Sequence, residues 1–286
     1  MQNGASEIGN CASASFGGTF AFVVRCNGVS RDKEVIIPAD DGIALTRPDR
    51  TLLLGASLFL DLDGTLLELI DEPDQVAADE ALVRLIGRLS DRLEGRLAIV
   101  SGRSIEQIDR ILGPVGQNLA LSGSHGNEHR WNGVLAQPIR PPALDTAALQ
   151  LRTFADRDPG MLVEEKSYGV ALHYRMAPAV EDEALAFAVR LAAYHGLELQ
   201  EGKMMVELRV GGGNKGVAIK RLMARPPMAG TRPVFVGDDR TDEPGFEMCR
   251  ELGGAGVLVG QPRETAASYY LPDPQAVREW LEDAAA

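Results

Sequence analysis

The chain has 286 residues, of which 45% are hydrophobic and 24% are charged, a composition typical of a globular protein with one or two domains. Its formal net charge of −12 argues against nucleic acids and anionic membrane surfaces as partners, because both attract basic proteins. Its three cysteines, Cys11, Cys26 and Cys249, lie far apart, which argues against a disulfide framework or a zinc site.

Two features of the N-terminal part bear on location and order. The apolar segment 16–24 has no basic residues before it, and no apolar run approaches the roughly 20 residues of a transmembrane helix. We therefore expect a cytoplasmic protein. Residues 1–50 are rich in Gly, Ser, Asn and Asp and show little helical periodicity, so we interpret them as a partly disordered extension.

Regular patterns begin at residue 52. The apolar run 52–60 predicts a buried strand that ends at Asp61. Further segments predict a helix at 78–93, a strand at 96–100, a helix at 105–112 and a strand at 119–122. Either Ser101 or Ser104 could cap the second helix. This alternation is typical of a parallel sheet with helices on its faces.

The pattern changes at the proline-rich stretch 138–142, which we interpret as a linker. The segments after it predict a helix at 143–156, strands at 161–166 and 169–175, a helix at 179–194, and strands at 197–201 and 204–210. Two repeats of one helix and two strands suit a small sheet with two helices on one face. We interpret 139–212 as an inserted α+β cap domain.

The first pattern then returns. The remaining segments predict a helix at 215–223, a strand at 233–236, a helix at 241–252, a strand at 255–259 and a helix at 274–284. The predicted fold is therefore α/β, with a doubly wound parallel-sheet (Rossmann-like) core formed by 51–138 and 213–286 and interrupted by the cap.

The run Asp61-Leu62-Asp63-Gly64-Thr65 places two carboxylates directly after the first strand. Ligands collect at the carboxyl ends of the strands in an open α/β sheet. There, one carboxylate can attack phosphorus, and the other can protonate the leaving oxygen and then activate water. The alternatives are a turn capped by Asp and a calcium loop, but the acidic last position of a calcium loop is missing.

A second acidic run, Gly237-Asp238-Asp239-Arg240-Thr241-Asp242, follows the strand at 233–236. Clustered carboxylates bind hard cations through oxygen, although acidic residues also favour a helix start. Two acidic clusters at strand ends indicate a metal site more strongly than either cluster alone.

Two further runs could hold an anion. Ser101-Gly102-Arg103 offers a hydroxyl and backbone N–H groups to a phosphate, or it is a simple helix cap. Lys215, in Gly213-Asn214-Lys215-Gly216, lies at a helix start, where the helix dipole disfavours a cation. Its charge could serve a phosphate and Asp61, or it could be a solvated surface lysine.

These four motifs, in this order, resemble the haloacid dehalogenase superfamily of phosphatases over about residues 55–275. The resemblance implies that Asp61 is the nucleophile and Asp63 the general acid and base. It implies that Ser101 and Lys215 hold the phosphoryl group. It also implies a Mg²⁺ cofactor bound by Asp61, the Asp63 backbone carbonyl and Asp238, with Asp239 and Asp242 in support.

The position of the insert resembles a type-C2 cap, which supplies substrate specificity. Three runs resemble the trehalose-6-phosphate phosphatase family more narrowly: Ser124-His125-Gly126-Asn127-Glu128, Val163-Glu164-Glu165-Lys166 leading to His173-Tyr174-Arg175, and Met205-Val206-Glu207-Leu208-Arg209. The implied sugar contacts are Glu164, Lys166 and Glu207 from the cap, and Arg103, His125, Gly126 and Asn127 from the core. Alternatively, Glu164 and Lys166 simply pair on one strand face, and His173 is expected to be structural.

Other functions stay open at this point. They are a C2-capped phosphatase for sucrose 6-phosphate or mannosyl-phosphoglycerate, a phosphomutase, and a non-catalytic sugar-phosphate sensor. A sensor needs no nucleophile, so the presence of a complete catalytic set argues against that function. The set is Asp61, Asp63, Ser101, Lys215 and Asp238. The resemblance also suggests a trehalose-phosphate synthase as a protein partner.

Overall fold

The computed structural model describes residues 45–69, 76–202 and 204–286. Most of the predicted extension 1–50 lies outside these ranges, as do Cys11 and Cys26. Thr46–Ala286 forms one compact unit, in which Cys249 is a buried free thiol. Among the helices in the described ranges, none is both long and apolar enough to cross a bilayer.

The described part of the chain alternates strands and helices. The strands are β1 Ala56–Leu60, β2 Leu97–Val100, β3 Ala120–Gly123, β4 Glu128–Trp131, β5 Val134–Ala136, β6 Leu162–Lys166, β7 Gly169–His173, β8 Glu198–Gly202, β9 Met205–Arg209, β10 Arg232–Gly237, β11 Ala255–Val259 and β12 Tyr269–Leu271. The helices are α1 Glu80–Arg92, α2 Ile105–Leu112, α3 Pro142–Ala155, α4 Glu181–His195, α5 Lys215–Met223, α6 Glu243–Glu251 and α7 Pro274–Ala285.

Eight strands form the large sheet, in the order β12-β11-β10-β1-β2-β3-β4-β5. The strands from β12 to β3 are parallel, and β4 and β5 are antiparallel. The chain leaves β1 for β2 on one side, and β10 pairs with β1 on the other. This reversal of strand order opens a crevice at the carboxyl ends of β1 and β10, where doubly wound folds bind ligands. The α/β fold class is confirmed.

Both faces of the large sheet are covered. Side chains of α1, α2 and α7 share one apolar cluster with alternate residues of the central strands. On another layer, Phe246 of α6 packs on Phe235 of β10 with ring centroids 5.4 Å apart. Strands buried on both faces lose the two-residue alternation, so all five residues of β1 are buried and only Ser57 among them is polar.

The first predicted strand was too long at its start. Residues Arg50–Leu53 form a short 3₁₀ helix, and the Asp49 side chain accepts a hydrogen bond from the Thr51 N–H at its start. Gly55 then adopts a φ of 66°, and β1 begins only at Ala56. The leucines before Gly55 were apolar enough to read as a strand, but the turn chemistry of Asp49 and Gly55 decides otherwise.

The small sheet has the antiparallel order β6-β7-β9-β8, with α3 and α4 on one face. Phe154 of α3 stacks on Phe187 of α4, with ring centroids 4.7 Å apart. Every helix and strand predicted between 143 and 210 is present, with ends shifted by a few residues. The division at 139–212 into core and cap stays a prediction.

Three strands and several 3₁₀ turns were missed. In β4, Glu128 and Arg130 are buried because they bind Ile105 N–H and Asp109. A strand that buries charged residues has no apolar alternation to detect. β5 and β12 are three residues long, which is too short for a periodic signal.

Candidate active site

The two acidic motifs meet at the crevice between β1 and β10. Asp61 follows β1, and its N–H donates to Val236 O of β10 at 3.0 Å. Carboxylate oxygens of Asp61, Asp238 and Asp242 lie within 4.8 Å of one another. Asp61 and Asp242 are buried, and Asp238 is half-buried. The structure therefore brings together carboxylates that are about 180 residues apart in sequence.

Gly64 allows this approach. It adopts a φ of 76°, and a β-carbon at this position would lie 2.2 Å from Asp238 Oδ2. The next residue, Thr65, donates from its hydroxyl to Asp238 Oδ1 at 3.3 Å. Only glycine fits both the backbone angle and the space. Thr65 was missed as a site residue, although it was part of the quoted motif.

Lys215 is buried at the first residue of α5, and Asn214 caps the helix. Its Nζ lies 2.9 Å from Asp61 Oδ1 and 2.5 Å from Asp242 Oδ1. Burial favours a lower pKa for this lysine, but the carboxylates of Asp61 and Asp242 outweigh burial and raise the pKa. The lysine therefore stays charged, and it is not the solvated surface residue of the alternative interpretation.

The carboxylate cluster fits a divalent cation. Burial raises the pKa of Asp61, Asp238 and Asp242, and in Asp238 the neighbouring Asp242 and Asp239 help to raise it to about 7. One lysine balances only part of the charge of these three carboxylates, two of which are buried. Oxygen donors in this number suit a hard cation such as Mg²⁺.

Asp242 and Asp239 shape the loop after β10. Asp242 Oδ2 accepts hydrogen bonds from the N–H groups of Asp238 and Asp239, both at 2.9 Å. Asp239 caps the following 3₁₀ turn by accepting from Thr241 N–H at 2.7 Å. Arg263 donates to Asp239 O at 2.5 Å. These contacts fix the backbone that carries Asp238, and Arg263 was not identified from the sequence.

Asp63 and Ser101 both contact Arg103. The Arg103 guanidinium holds Asp63 with two bonds, Nε to Oδ2 at 2.6 Å and Nη2 to Oδ1 at 2.7 Å. Ser101 Oγ accepts from Arg103 N–H at 3.2 Å, and Ser104 caps α2 through a capping box. Ser101 is therefore not the helix cap. The predicted contact between Arg103 and a sugar stays a prediction.

The small sheet turns a polar face away from its two helices. The register pairs Glu164 with Ala171 and Ala171 with Glu207, so both glutamates lie on the face opposite to Val170 and Leu172, which pack on the helices. Lys166 Nζ lies 2.7 Å from Glu207 Oε2.

Glu164 does not pair with Lys166. Instead, Glu164 Oε2 lies 2.9 Å from His173 Nε2. The alternative of a Glu164–Lys166 ion pair is therefore wrong. The structural role of His173 stays a prediction, because its partner Glu164 is itself a predicted sugar contact.

A narrow groove joins this polar face to the loops of the large sheet. It is lined by Gly102, Ser124, His125, Asn127, Lys166, Tyr168, Gly169, Glu207 and Arg209. Most of the predicted sugar contacts therefore share one groove. Tyr168 and Arg209 were missed; Arg209 lies two residues after Glu207 on β9, and this spacing could have identified it.

The Trehalose-phosphatase family model matches residues 59–275, which is more than half of the chain. The chain belongs to the trehalose-phosphatase family. It is 39% identical to the trehalose-6-phosphate phosphatase of Escherichia coli over 78% of this chain and 84% of that protein. It is 35% identical to the probable trehalose-phosphate phosphatase of Sinorhizobium fredii, over the same shares of the two chains.

Solved structures agree with this assignment. A trehalose-6-phosphate phosphatase related protein matches with a TM-score of 0.70 and 30% identity, covering 80% of this chain and 96% of its own. The C-terminal domain of the C. albicans trehalose-6-phosphate phosphatase matches with a TM-score of 0.70 at 24% identity, covering 84% and 98%, and shows the fold.

The groove contains a turn with left-handed backbone angles. Ser124, His125 and Gly126 have consecutive φ angles of 49°, 53° and 93°. A β-carbon on Gly126 would lie 2.8 Å from Asn214 O, and one on Gly102 would lie 2.6 Å from the His125 ring. Asn127 Nδ2 donates to Ser124 O at 3.1 Å. The turn is thus packed against Gly102, next to Ser101, and against Asn214, next to Lys215.

We expect His125→Asn to make the protein more resistant to unfolding by acid. Burial, reinforced by Arg209 and Lys215, lowers the pKa of His125 to about 3. In the unfolded chain the His125 imidazole takes up a proton near pH 6.5, whereas in the folded chain it stays neutral down to about pH 3. Below pH 6.5 the wild type therefore loses about 1.4 kcal/mol of unfolding free energy per pH unit at this site. Asparagine tolerates the positive φ and lacks this titration.

Urea unfolding from pH 8 to pH 4.5 measures this effect. At pH 8 the imidazole is neutral in both states, so the difference between the two proteins there gives the packing cost alone. As the pH falls, the unfolding free energy of the variant should rise relative to that of the wild type. If the two unfolding free energies changed in parallel with pH, the lowered pKa of His125 would be contradicted.

Proposed function

We propose that this chain hydrolyses trehalose 6-phosphate to trehalose and inorganic phosphate, with Asp61 as the covalent nucleophile. The observation that carries the proposal is the cluster of Asp61, Asp238, Asp242 and Lys215 at the crevice between β1 and β10. All four residues lie within the part of the chain that matches the trehalose-phosphatase family.

In the first step, an Asp61 oxygen attacks phosphorus and the bond from phosphorus to the sugar oxygen breaks. Asp63 donates a proton to that oxygen, which leaves as the trehalose hydroxyl. In the second step, Asp63 accepts a proton from water as the water oxygen attacks phosphorus. The bond to Asp61 then breaks, and phosphate and the free Asp61 carboxylate are formed.

Three cationic or polar residues assist these steps. Lys215 contacts the attacking carboxylate, and Lys215 and Ser101 are proposed to hold the phosphoryl oxygens. Arg103 binds both oxygens of Asp63. We infer that this contact opens when Asp63 carries its proton to the sugar oxygen.

The proposed cofactor is Mg²⁺, held by Asp61, the Asp63 backbone carbonyl and Asp238. When bound, it offsets the negative charges of carboxylate and phosphate so that one anion can attack another. Asp239 and Asp242 support this site by fixing the loop after β10.

The polar face of the small sheet offers partners to the hydroxyl groups of a neutral disaccharide. Lys166 and Glu207 line the groove, and Glu164 lies on the same face of the sheet outside the groove lining. On the other side, the turn at 124–127 provides His125, Gly126 and Asn127. We propose that the small sheet acts as the cap, which excludes bulk water from the phosphoryl group when the sugar is bound.

A phosphate-release assay over a panel of sugar phosphates tests the substrate and the cofactor. We expect kcat/KM for trehalose 6-phosphate to exceed that for sucrose 6-phosphate and glucose 6-phosphate by about 10-fold or more, because a missing hydroxyl partner leaves buried polar groups unpaired. Chelation should abolish turnover, and added Mg²⁺ should restore it. Equal or faster turnover of sucrose 6-phosphate would contradict the substrate proposal, and full activity in chelator would contradict the metal.

Replacing Glu207 with Gln should separate sugar recognition from chemistry. Glu207 is buried and pairs with Lys166, so the change weakens both the pair and its hydroxyl contacts. We expect KM for trehalose 6-phosphate to rise about 10- to 100-fold. Turnover of p-nitrophenyl phosphate, which has no sugar, should change less than 3-fold relative to the exposed control Glu201→Gln. An equal loss on both substrates would place Glu207 outside sugar recognition.

A cytoplasmic location and association with a trehalose-phosphate synthase also remain proposals. Cell fractionation tests the first, and co-purification with the synthase tests the second.

A further inference from the structure

A second groove lies between the β4–β5 hairpin and the C-terminal end of α5. Its volume is about 530 Å³, within the range of roughly 300–1,000 Å³ that small-molecule sites occupy. Its lining residues differ from those of the active-site groove, and no step of the proposed reaction uses them. The residues that matter are His129, Trp131, Val134, Arg221, Leu222 and Arg225.

The alternation of β4 explains why this groove exists. Glu128 and Arg130 lie on one face, where they bind the backbone of α2 and Asp109. His129 and Trp131 therefore lie on the opposite face. The register places Val134 of β5 opposite Trp131, so it shares that face and extends the apolar wall.

The α5 side of the groove is cationic. Arg221 and Arg225 are four residues apart, about one helical turn, and both line the groove. Arg221 Nη1 donates to His129 Nε2 at 2.8 Å and to Gly126 O at 3.2 Å. Both acceptors are uncharged. One is a backbone carbonyl, and the other is His129, whose pKa is lowered by burial and then by the Arg221 charge.

Neither guanidinium is neutralised nearby. Within the ranges that the structure describes, no carboxylate pairs with Arg221 or Arg225. The chain has 41 acidic and 29 basic residues, so carboxylates are abundant and their absence from this groove is a local feature. Two guanidinium groups without a carboxylate partner, beside a half-buried indole, favour a ligand that is both anionic and planar.

We propose that this groove binds a small organic anion of mononucleotide size, with its phosphate between Arg221 and Arg225 and its planar ring against Trp131. Guanidinium groups match phosphate oxygens in pairs, and an indole face accepts a planar ring. Inorganic phosphate would use only the arginines, and an uncharged nucleoside would use only the indole, so each should bind more weakly than the mononucleotide.

Trp131 itself reports on binding. The chain has two tryptophans, and the other, Trp280, is buried in α7. In the Trp280→Phe background, AMP is titrated while Trp131 fluorescence is recorded. Chelator is present throughout, so that a metal in the active site cannot hold the phosphate or support turnover. If Trp280→Phe lowers the yield of folded protein, calorimetric titration of the wild type gives the same constant.

Arg225→Gln is the test variant, because Arg221 also bonds to Gly126 of the active-site turn. We expect AMP to produce a saturable change and the dissociation constant to rise about 10-fold or more in this variant. Lys220→Gln, an exposed residue of the same helix outside the groove lining, should bind as the wild type does. The circular dichroism spectrum and the urea midpoint of Arg225→Gln should match those of the wild type, which shows that the variant is folded.

Four results would overturn the proposal. The first is no saturable change up to about 5 mM AMP, which would place the dissociation constant above about 1 mM. The second is unchanged affinity in Arg225→Gln, and the third is adenosine binding as tightly as AMP. The fourth is a dimer in sedimentation whose formation shields Trp131. Each readout measures binding, so failure of the proposed phosphatase activity would leave this test intact.

Discussion

Replacing Asp61 with Asn should lower kcat for trehalose 6-phosphate by at least about 10⁴-fold, the scale seen when a covalent nucleophile is removed. Asparagine keeps the size of the side chain, and it leaves Lys215 paired with Asp242. Substrate binding should therefore stay within about 10-fold of the wild type, because Lys215, Asp238 and Asp242 are unchanged. Stopped-flow phosphate release measures turnover, and equilibrium dialysis measures binding.

The matched control is Asp91→Asn, which makes the same chemical change on an exposed residue of α1. It should keep wild-type kcat. If Asp61→Asn retained activity within 10-fold of the wild type, Asp61 would not be the nucleophile. If the wild type itself turned over none of the sugar phosphates, the sensor function would be favoured instead.

The second large effect is expected for Lys215→Met, which should damage both stability and catalysis. The lysine balances Asp61 and Asp242 in a buried setting, and its removal leaves two carboxylates unpaired. Breaking such a contact costs about 3–5 kcal/mol of unfolding free energy at neutral pH. Loss of the charge beside the phosphoryl group should lower kcat about 10²- to 10³-fold.

Urea unfolding in chelator measures the loss of unfolding free energy, and phosphate release in Mg²⁺ measures the loss of kcat. Lys220→Met is the matched control, since Lys220 lies on the exposed side of the same helix. Similar stability losses for the two variants would show that Lys215 is not needed to balance the buried carboxylates.

Local patterns were sufficient to predict the α/β fold class and the strand ends that carry the carboxylates. The apolar runs before Asp61 and Asp238 place both residues at strand ends, and parallel pairing of β1 with β10 brings them together. The strand order itself was not predicted, because strand pairing depends on contacts between residues that are far apart in the sequence. The contact of Gly64 with Asp238 is another such contact.

Side-chain partners were predicted less well, since several choices satisfy the same local pattern. Lys166 lies two residues from Glu164 on one strand, yet it pairs across the sheet with Glu207. The Arg103 guanidinium binds both oxygens of Asp63, a partner that the sequence did not indicate. The Lys215 contacts with Asp61 and Asp242 decide between a buried and a solvated lysine, and helix periodicity carries no information on this choice.

The pairing of β1 with β10 also constrains when the enzyme can become active during its synthesis. Val236, which accepts the Asp61 N–H, is encoded about 175 codons after Asp61. A ribosome therefore translates the whole small sheet before Asp61 can contact Lys215, Asp238 and Asp242. Until the chain passes Asp242, Asp61 has neither Lys215 held in place nor the second acidic loop. A chain that ends before residue 242 lacks part of the carboxylate cluster, so we expect such fragments to have no phosphatase activity.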